Sequence, residues 1–285
     1  MHQPIVESVR AAFSGAAGSV LELIFPANCL LCGEPVAEGR SFCTACDGAL
    51  TASESLMRNA CLRCGFPLAA QRSETQRSET QRSETQRSET QQVADVRGPG
   101  GVCGECRERE FEFDRVIGLW IYQDLARDAV IASKYPSYVA LGDAMGRRLG
   151  QRILTDQSVL PDIVTFTPSH FWRQLSRGGN GVQVIASAVS RVIHRKCRSL
   201  VRLRRPIAKQ AWLDDHQRER NVCDAFAVKK SYAWIGPSPL AGRHVLLVDD
   251  VLTTGATANE IARMLRREGA EKVSLAVVAR SVRLS

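Results

Sequence analysis

The sequence predicts an α/β fold in which a parallel sheet carries helices on both faces, preceded by a small cysteine-rich, zinc-binding module. Two observations support this fold. From about residue 114 onward, short apolar runs alternate with helical patterns, which is typical of strands joined by crossover helices. Before that point, eight of the ten cysteines form four Cys-x-x-Cys pairs. A chain of 285 residues is long enough for one α/β domain and a smaller module.

The first 26 residues are expected to form an amphipathic helix that packs on the body of the protein. Residues 5–25 contain an apolar stretch that is interrupted by small residues and by Glu22, and no basic segment precedes it. This pattern is not that of a signal peptide, and no apolar run reaches the length of a membrane span. We therefore expect a chain without a membrane span, located in the cytoplasm.

The cysteine module is expected to span residues 27–110 and to hold two structural zinc ions. Thiols two residues apart on a turn point the same way, which suits a tetrahedral metal better than long-range disulfides. The first four cysteines are compact in sequence. The second set is interrupted: 38 residues separate Cys64 from Cys103, but 20 of them are four QRSET copies, and the remaining 18 fit a zinc ribbon. The predicted ligands are Cys29, Cys32, Cys43 and Cys46 for one zinc, and Cys61, Cys64, Cys103 and Cys106 for the other.

The QRSET copies occupy residues 71–90 and have no apolar face. We expect a disordered or loosely helical surface loop, with a partner-binding linker as the functional alternative. The formal net charge of the chain is +8, and eight thiolates holding two Zn²⁺ would lower it to +4. A moderately basic balance suits a polyphosphate ligand, so charge alone does not indicate nucleic acid.

The α/β domain is expected to span residues 111–285. Predicted strands are residues 115–122, 162–166, 199–203 (a third strand at the sheet edge), 245–248 and 273–279, and predicted helices are residues 124–132, 139–154, 179–194 and 257–268. In the last helix the apolar residues repeat with a period of about 3.6, and Gly269 marks its end. In a parallel sheet of this kind, ligands bind at the carboxyl ends of the strands.

The segment Val245–Thr257, VLLVDDVLTTGAT, offers a site for a sugar diol beside a site for a phosphate. Four apolar residues predict a buried strand, and Asp249 and Asp250 follow it. The small-residue turn Thr253–Thr257 then begins a helix, whose amino end presents unpaired N–H groups and a positive dipole end. A carboxylate pair can hold vicinal hydroxyls, directly or through Mg²⁺. The segment lacks the Gly-Lys-Ser/Thr of a Walker A loop and the GxGxxG dinucleotide fingerprint.

This segment resembles the phosphoribosyl pyrophosphate (PRPP) loop of type I phosphoribosyltransferases. The chain as a whole resembles the competence-associated ComF group of phosphoribosyltransferase-like proteins, which have an N-terminal double zinc ribbon. The other matching residues are Lys134 and Tyr135; Pro168, His170, Arg177, Gly178 and Asn180; and Lys209, Gln210, Arg218 and Asn221. The chain departs from the pattern of the group at Phe166, Ser169 and Gly179.

The resemblance implies a type I phosphoribosyltransferase-like fold and a PRPP site with Mg²⁺. Asp249 and Asp250 would contact the ribose hydroxyls as the catalytic residues, and Thr253–Thr257 would bind the 5′-phosphate. A basic loop ending near Arg177 and a mobile hood over residues 204–221 would contact pyrophosphate. The implied PRPP-binding residues are Asp249, Asp250, Val251, Leu252, Thr253, Thr254, Gly255, Ala256, Thr257, Lys134, Arg177, Lys209 and Arg218.

Two functions are compatible with these features. The first is an enzyme that transfers ribose 5-phosphate from PRPP to a nitrogen nucleophile. The alternative is a non-catalytic competence accessory protein whose zinc module binds single-stranded DNA or a helicase, because the ComF group is associated with DNA uptake. Aromatic residues make up 6% of the chain, and the sequence has no basic–aromatic alternation of the single-strand-binding type. No acceptor-base pocket is recognisable in the sequence.

Overall fold

The computed structural model describes residues 27–68, 102–104, 106, 110–156, 160–168, 180–205, 220–229 and 238–282. They belong to two compact units, residues 1–49 and residues 50–285. The N-terminal helix expected within residues 5–25 and the QRSET copies lie outside the described residues. Within the described ranges, no helix is both long enough and apolar enough to cross a membrane.

The secondary structure of the described residues is as follows. The strands are β1 (Arg115–Ile121), β2 (Ile163–Phe166), β3 (Lys196–Cys197), β4 (Val201–Leu203), β5 (Phe226–Val228), β6 (His244–Leu252) and β7 (Lys272–Arg280). The helices are α1 (Thr44–Met57), α2 (Asp124–Ala132), α3 (Val139–Thr155), α4 (Gly181–Val192) and α5 (Ala256–Arg267), with a 3₁₀ turn at Pro136–Tyr138. The predicted helices α2 to α5 are therefore present, each within two residues of its expected bounds.

Five of these strands form one sheet in the order β1-β7-β6-β2-β3, and all neighbouring pairs in it are parallel. This confirms the predicted α/β fold. Strand β6 lies in the middle, between β7 and β2, so its carboxyl end is bordered by strands on both sides. In a parallel sheet this is the edge at which loops converge on a ligand.

The two faces of the sheet carry different helices. Val245 and Leu247 of β6 join a buried cluster that includes Ile261 and Leu265 of α5. Because side chains alternate along a strand, the neighbouring buried residue Leu246 faces the other side, where α3 and α4 pack. The core is thus built on both faces of β6, which holds this strand in a fixed position.

Small residues bring helices α3 and α4 close together. A Cβ atom at Gly146 would lie 2.5 Å from the carbonyl oxygen of Ile185, and a Cβ atom at Gly150 would lie 2.7 Å from the Cβ atom of Val192. Gly181, the first residue of α4, likewise has no room for a side chain, because the carbonyl oxygen of Ser133 lies against it. The start of α4 is therefore packed against the turn that follows α2.

One predicted strand was wrong in its placement. The segment predicted at residues 199–203 as a strand of the main sheet is β4, and it pairs antiparallel with β5 in a separate two-stranded sheet. The edge strand of the main sheet is instead β3. After β3 the amide of Arg198 still donates to the carbonyl oxygen of Val164 in β2, at 2.8 Å. The amide of Leu200 instead donates to the carbonyl oxygen of Arg198, at 2.9 Å, and to the buried hydroxyl of Thr165, at 3.3 Å, so the chain leaves the sheet here.

A second difference concerns the end of β6. The apolar run ends at Val248, but the strand continues through Leu252, because its pairing with β7 extends to Leu252 and Arg280. Asp249 and Asp250 therefore lie inside the strand and not after it. Their backbone is fixed by the ladder, which gives the carboxylates a rigid base.

Candidate functional site

The two carboxylates of β6 lie at the carboxyl edge of the sheet. Each accepts a hydrogen bond from the next amide: Asp250 N–H donates to Asp249 Oδ1 at 2.9 Å, and Val251 N–H donates to Asp250 Oδ1 at 2.7 Å. Burial, and next the negative charge of Asp250, raise the pKa of Asp249 to about 8. Two acids this close are most stable with a proton, a cation or a hydrogen-bond donor between them.

Lys134 supplies a cation to this pair. It follows α2, and its Nζ lies 3.0 Å from Asp250 Oδ2, with 33% of its side chain exposed. Burial by itself lowers the pKa of Lys134, but the charge of Asp250 and the hydrogen bond to it outweigh burial, so the pKa is raised overall. The lysine is therefore protonated. It lies against the second aspartate, at the same edge of the sheet as the turn that follows β6.

The turn after β6, residues 253–257, is called the phosphate loop below. Gly255 adopts a left-handed conformation with φ of 86°, and α5 begins at Ala256. Residues 249–258 line a cleft of about 230 Å³ here. The amides of residues 253–255 find no acceptor within the described part of the chain. Unpaired N–H groups at a helix amino end form a site suited to an anion.

Thr167 lies beside the acidic pair, one residue beyond β2. Its amide donates to the carbonyl oxygen of Val248 at 3.1 Å, which places it next to Asp249. Its hydroxyl is buried beside Asp249, and a hydrogen bond from it lowers the pKa of Asp249, although burial and the charge of Asp250 outweigh this effect. Thr167 is therefore one of the polar groups that surround the acidic pair.

The structure thus brings together Lys134, Asp249, Asp250 and the phosphate loop. Arg177, Lys209 and Arg218, which the resemblance also assigned to PRPP, lie outside the described residues, as does most of the expected hood. Sequence reasoning included Thr167 in the loop near Arg177 but gave it no role. It missed Arg280, the last residue of β7, whose only sequence signal is a charged residue at the end of an otherwise apolar strand.

Both predicted cysteine sets converge. In each set the four sulfur atoms lie within 4.8 Å of one another. Cys32 and Cys43 Sγ are 3.6 Å apart, and Cys64 and Cys103 Sγ are 3.7 Å apart. A tetrahedral zinc with Zn–S bonds of about 2.3 Å separates its sulfurs by about 3.8 Å. Both sets therefore fit a four-coordinate structural zinc, with no position left for a substrate.

Each cluster is held by turns that have the same backbone form. Gly33 and Gly65 adopt positive φ values of 80° and 70°, and their amides donate to the carbonyl oxygens of the first cysteine of the pair, Cys29 and Cys61. In the second cluster, Cys103 N–H also donates to Cys61 Sγ at 3.2 Å. Such N–H groups stabilise a thiolate and orient it toward a metal. We call Cys61, Cys64, Cys103 and Cys106 the second cysteine cluster.

Comparison with known proteins identifies two domain families. Residues 20–79 match the double zinc ribbon domain, and residues 224–283 match the phosphoribosyl transferase domain. The first match ends within the QRSET copies, and the structure adds Cys103 and Cys106 to the second cluster.

Relatives align with between 63% and 91% of the chain. The chain is 30% identical over 266 residues to DNA utilization protein YhgH of Escherichia coli O157:H7, and the alignment covers 91% of this chain and 100% of that protein. It is 26% identical over 184 residues to competence protein F of Haemophilus influenzae, covering 63% of this chain and 78% of that protein. Glutamine PRPP amidotransferase from B. subtilis superposes with a TM-score of 0.34 and 20% identity, over 52% of this chain and 30% of that chain.

Proposed function

The chain belongs to the ComF family of phosphoribosyltransferase-like proteins, and we propose that it binds PRPP, together with Mg²⁺, at the carboxyl end of β6. One observation carries the proposal: the carboxylate pair and the amino end of α5, where amides have no acceptor among the described residues, line one cleft, and Lys134 pairs with Asp250. A phosphorylated ribose presents a diol at one end and a phosphate at the other, and this cleft offers matching groups in that order.

The 5′-phosphate is assigned to the phosphate loop. The left-handed Gly255 has no side chain, so a phosphate oxygen can approach its backbone closely. The hydroxyls of Thr253 and Thr257 and the amides of the turn would donate to the phosphate oxygens, and the start of α5 adds its dipole.

The ribose hydroxyls are assigned to Asp249 and Asp250. Carboxylates accept hydrogen bonds from both hydroxyls of a diol, and a hydroxyl donor or a cation would stabilise the ionised form of Asp249, whose pKa is raised to about 8. Mg²⁺ prefers oxygen ligands and binds pyrophosphate, so it would neutralise the leaving group when bound.

Lys134 is proposed to contact pyrophosphate. Its ammonium has three donors, so it can keep the contact with Asp250 and still donate to a phosphate oxygen. Arg177, Lys209 and Arg218 are proposed to complete the pyrophosphate site. In transfer, the bond from C1 of ribose to pyrophosphate breaks, and a bond from C1 to the acceptor nitrogen forms. The protein contributes mainly position and charge stabilisation.

Calorimetry with PRPP and Mg²⁺ tests the proposal. Wild type is expected to bind, and the double variant Asp249→Asn/Asp250→Asn is expected to bind at least about tenfold more weakly, because hydrogen bonds to charged acceptors are lost. Asp128→Asn is the matched control, because this aspartate is exposed on α2, paired only loosely with Arg127 at 4.0 Å. Absence of binding by wild type, or equal binding by the double variant, would refute the assignment.

A second candidate function is a competence accessory protein without turnover. The names of the relatives favour it, because they refer to DNA use and competence and not to nucleotide synthesis. Release of pyrophosphate across a panel of nucleobases separates the two functions. Release with one base identifies a transferase. PRPP binding without release, combined with retention of single-stranded DNA by the zinc module, identifies the accessory protein.

A further inference from the structure

We propose that Arg280 positions the phosphate loop by tying it to the second cysteine cluster, so that zinc in this cluster is required for phosphate binding at β6. The ligand part of this inference rests on the proposed function. The structural part, a mechanical link between the cluster and the loop, can be measured without any ligand.

The first connection is the guanidinium group of Arg280. Its Nε donates to the carbonyl oxygen of Cys64 at 2.9 Å. Its Nη1 donates to the carbonyl oxygens of Leu252 at 3.1 Å and Thr253 at 2.7 Å, and also to that of Ser281. Because a guanidinium is planar and rigid, it fixes the distance between the zinc-binding turn and the phosphate loop.

These bonds determine where the loop amides point. In a trans peptide the C=O and the N–H point in opposite directions. When Arg280 holds the carbonyls of Leu252 and Thr253, the amides of Thr253 and Thr254 are directed away from it. These are among the amides that have no acceptor within the described residues. Arg280 therefore orients the backbone N–H groups of Thr253 and Thr254 toward the side opposite to the zinc-binding turn.

The second connection is Phe111. It packs against the second cysteine cluster and also against the buried cluster that contains α5. Its ring stacks on that of Phe113 with centroids 4.7 Å apart. A Cβ atom at Gly255 would lie 3.6 Å from Phe111 and 3.7 Å from Phe113, so the two rings lie directly beneath the turn. The cluster thus supports the loop through apolar packing as well as through hydrogen bonds.

The cluster itself is joined to the sheet near this point. The amide of Val116 in β1 donates to the carbonyl oxygen of Leu62 at 2.8 Å, and a Cβ atom at Gly65 would lie 2.8 Å from Val116 Cγ1. Without zinc, four buried thiols at this separation have no common partner, and the turn Cys61–Cys64 loses the constraint that places the Cys64 carbonyl. The acceptor for Arg280 would then move, and the loop carbonyls would be released with it.

Hydrogen exchange of the ligand-free protein tests the link. The reporter is the amide of Asn259, which donates to the carbonyl oxygen of Gly255 at 2.8 Å and whose sequence neighbours no variant changes. Arg280→Met, which keeps bulk but removes the donors, is expected to speed this exchange by about tenfold or more, while two zinc ions remain bound. Arg280→Lys, with a single ammonium, is expected to restore part of the protection. Unchanged exchange in Arg280→Met would overturn the proposal.

Arg195→Met is the matched control. This arginine also donates to backbone carbonyls, Pro161 at 2.8 Å and His194 at 3.1 Å, but it lies beside the amino ends of the strands. Its loss is expected to leave the exchange of Asn259 and the affinity for PRPP unchanged. If Arg195→Met speeds the exchange as much as Arg280→Met does, the effect is general destabilisation and the specific role of Arg280 is refuted.

The requirement for zinc is tested with one serine substitution in each cysteine cluster. Cys106→Ser is expected to lose one zinc and to speed Asn259 exchange, whereas Cys46→Ser is expected to lose one zinc without this effect. The combined variant Arg280→Met/Cys106→Ser is expected to show little more than the larger single effect, because both changes break the same link. Full additivity of the two effects on exchange would refute the link.

PRPP affinity is measured on the same variants. It is expected to fall about tenfold in Arg280→Met and Cys106→Ser, in parallel with the exchange. If wild type does not bind PRPP, the proposed function fails, but the exchange measurements still decide the role of Arg280. If PRPP binds equally to wild type and to both variants although their loops exchange faster, the requirement for zinc in binding is refuted.

Discussion

Gly181→Ala should damage both the stability of the protein and its ligand site. A Cβ atom at residue 181 would lie closer than 3.0 Å to the carbonyl oxygen of Ser133, a separation that real Cβ atoms essentially never show. The obstacle is backbone, so it cannot rotate away as a side chain would. Either α4 or the turn after α2 must move by several tenths of an ångström.

The free energy of unfolding is expected to fall by about 1–3 kcal/mol, the usual cost of inserting a methyl group into a packed interior. For a unit of this size, each kcal/mol corresponds to a decrease in Tm of about 2–4 °C. The turn after α2, one of the two segments that can yield, also carries Lys134, whose Nζ lies 3.0 Å from Asp250 Oδ2. Displacement of this turn lengthens the ion pair, so PRPP affinity is expected to fall several-fold as well.

Urea unfolding and PRPP calorimetry measure the two effects. Gly142→Ala is the control on the same helix pair, because the nearest atom to its added Cβ is Val184 Cγ1 at 3.3 Å, part of a side chain that can shift. That variant is expected to be as stable as wild type or more stable, since alanine in a helix interior gains about 0.5–1 kcal/mol over glycine. Equal stability of Gly181→Ala and Gly142→Ala would refute the packing argument.

Three further outcomes follow from the site. The pKa of Asp249 is about 8 in the folded state and 3.8 ordinarily, so the folded state holds an extra proton between these pH values. The free energy of unfolding should therefore fall as pH rises through this window. Urea unfolding at pH 5 and pH 8 should show a smaller decrease for Asp249→Asn than for wild type. Metal analysis should find two zinc ions per chain, and one or none would contradict the two clusters. Deletion of residues 71–90 should leave the zinc content unchanged. It should raise the free energy of unfolding, measured in urea, by about 0.6 kcal/mol, because the loop between the cysteine pairs becomes shorter. Loss of a zinc ion would show that the repeats take part in the cluster.

The core of the fold was predictable because it depends on local patterns. The four apolar residues of Val245–Val248 and the run at 273–279 each fill a buried strand, and the 3.6-residue period of α5 lies between them. The end of β6 was not predictable in the same way. Its last residues are held by pairing with β7, a contact between segments that no local pattern reveals, so the acidic pair lies within the strand.

The two-stranded sheet was harder to predict from the sequence for a related reason. Strands β4 and β5 have three residues each, too short for a periodic signal, and each finds its partner across the polar segment expected to form the hood. The role of Arg280 at the site was likewise not predictable from the sequence. Its acceptors are the carbonyls of Cys64, Leu252 and Thr253, and backbone acceptors leave no trace in the residue types of a sequence.

The second cysteine cluster shows why paired cysteines predicted a metal site better than overall spacing did. Lengthening the connection between Cys64 and Cys103 from 18 to 38 residues costs only about 0.6–0.7 kcal/mol in loop closure, because this cost grows with the logarithm of length. Zinc binding to such a site contributes on the order of 10 kcal/mol or more. An insertion of 20 residues between the pairs is therefore tolerated, whereas an insertion within the Cys61–Cys64 turn would displace Gly65 and separate the two thiols. The short Cys-x-x-Cys spacing is the part of the pattern that the metal constrains.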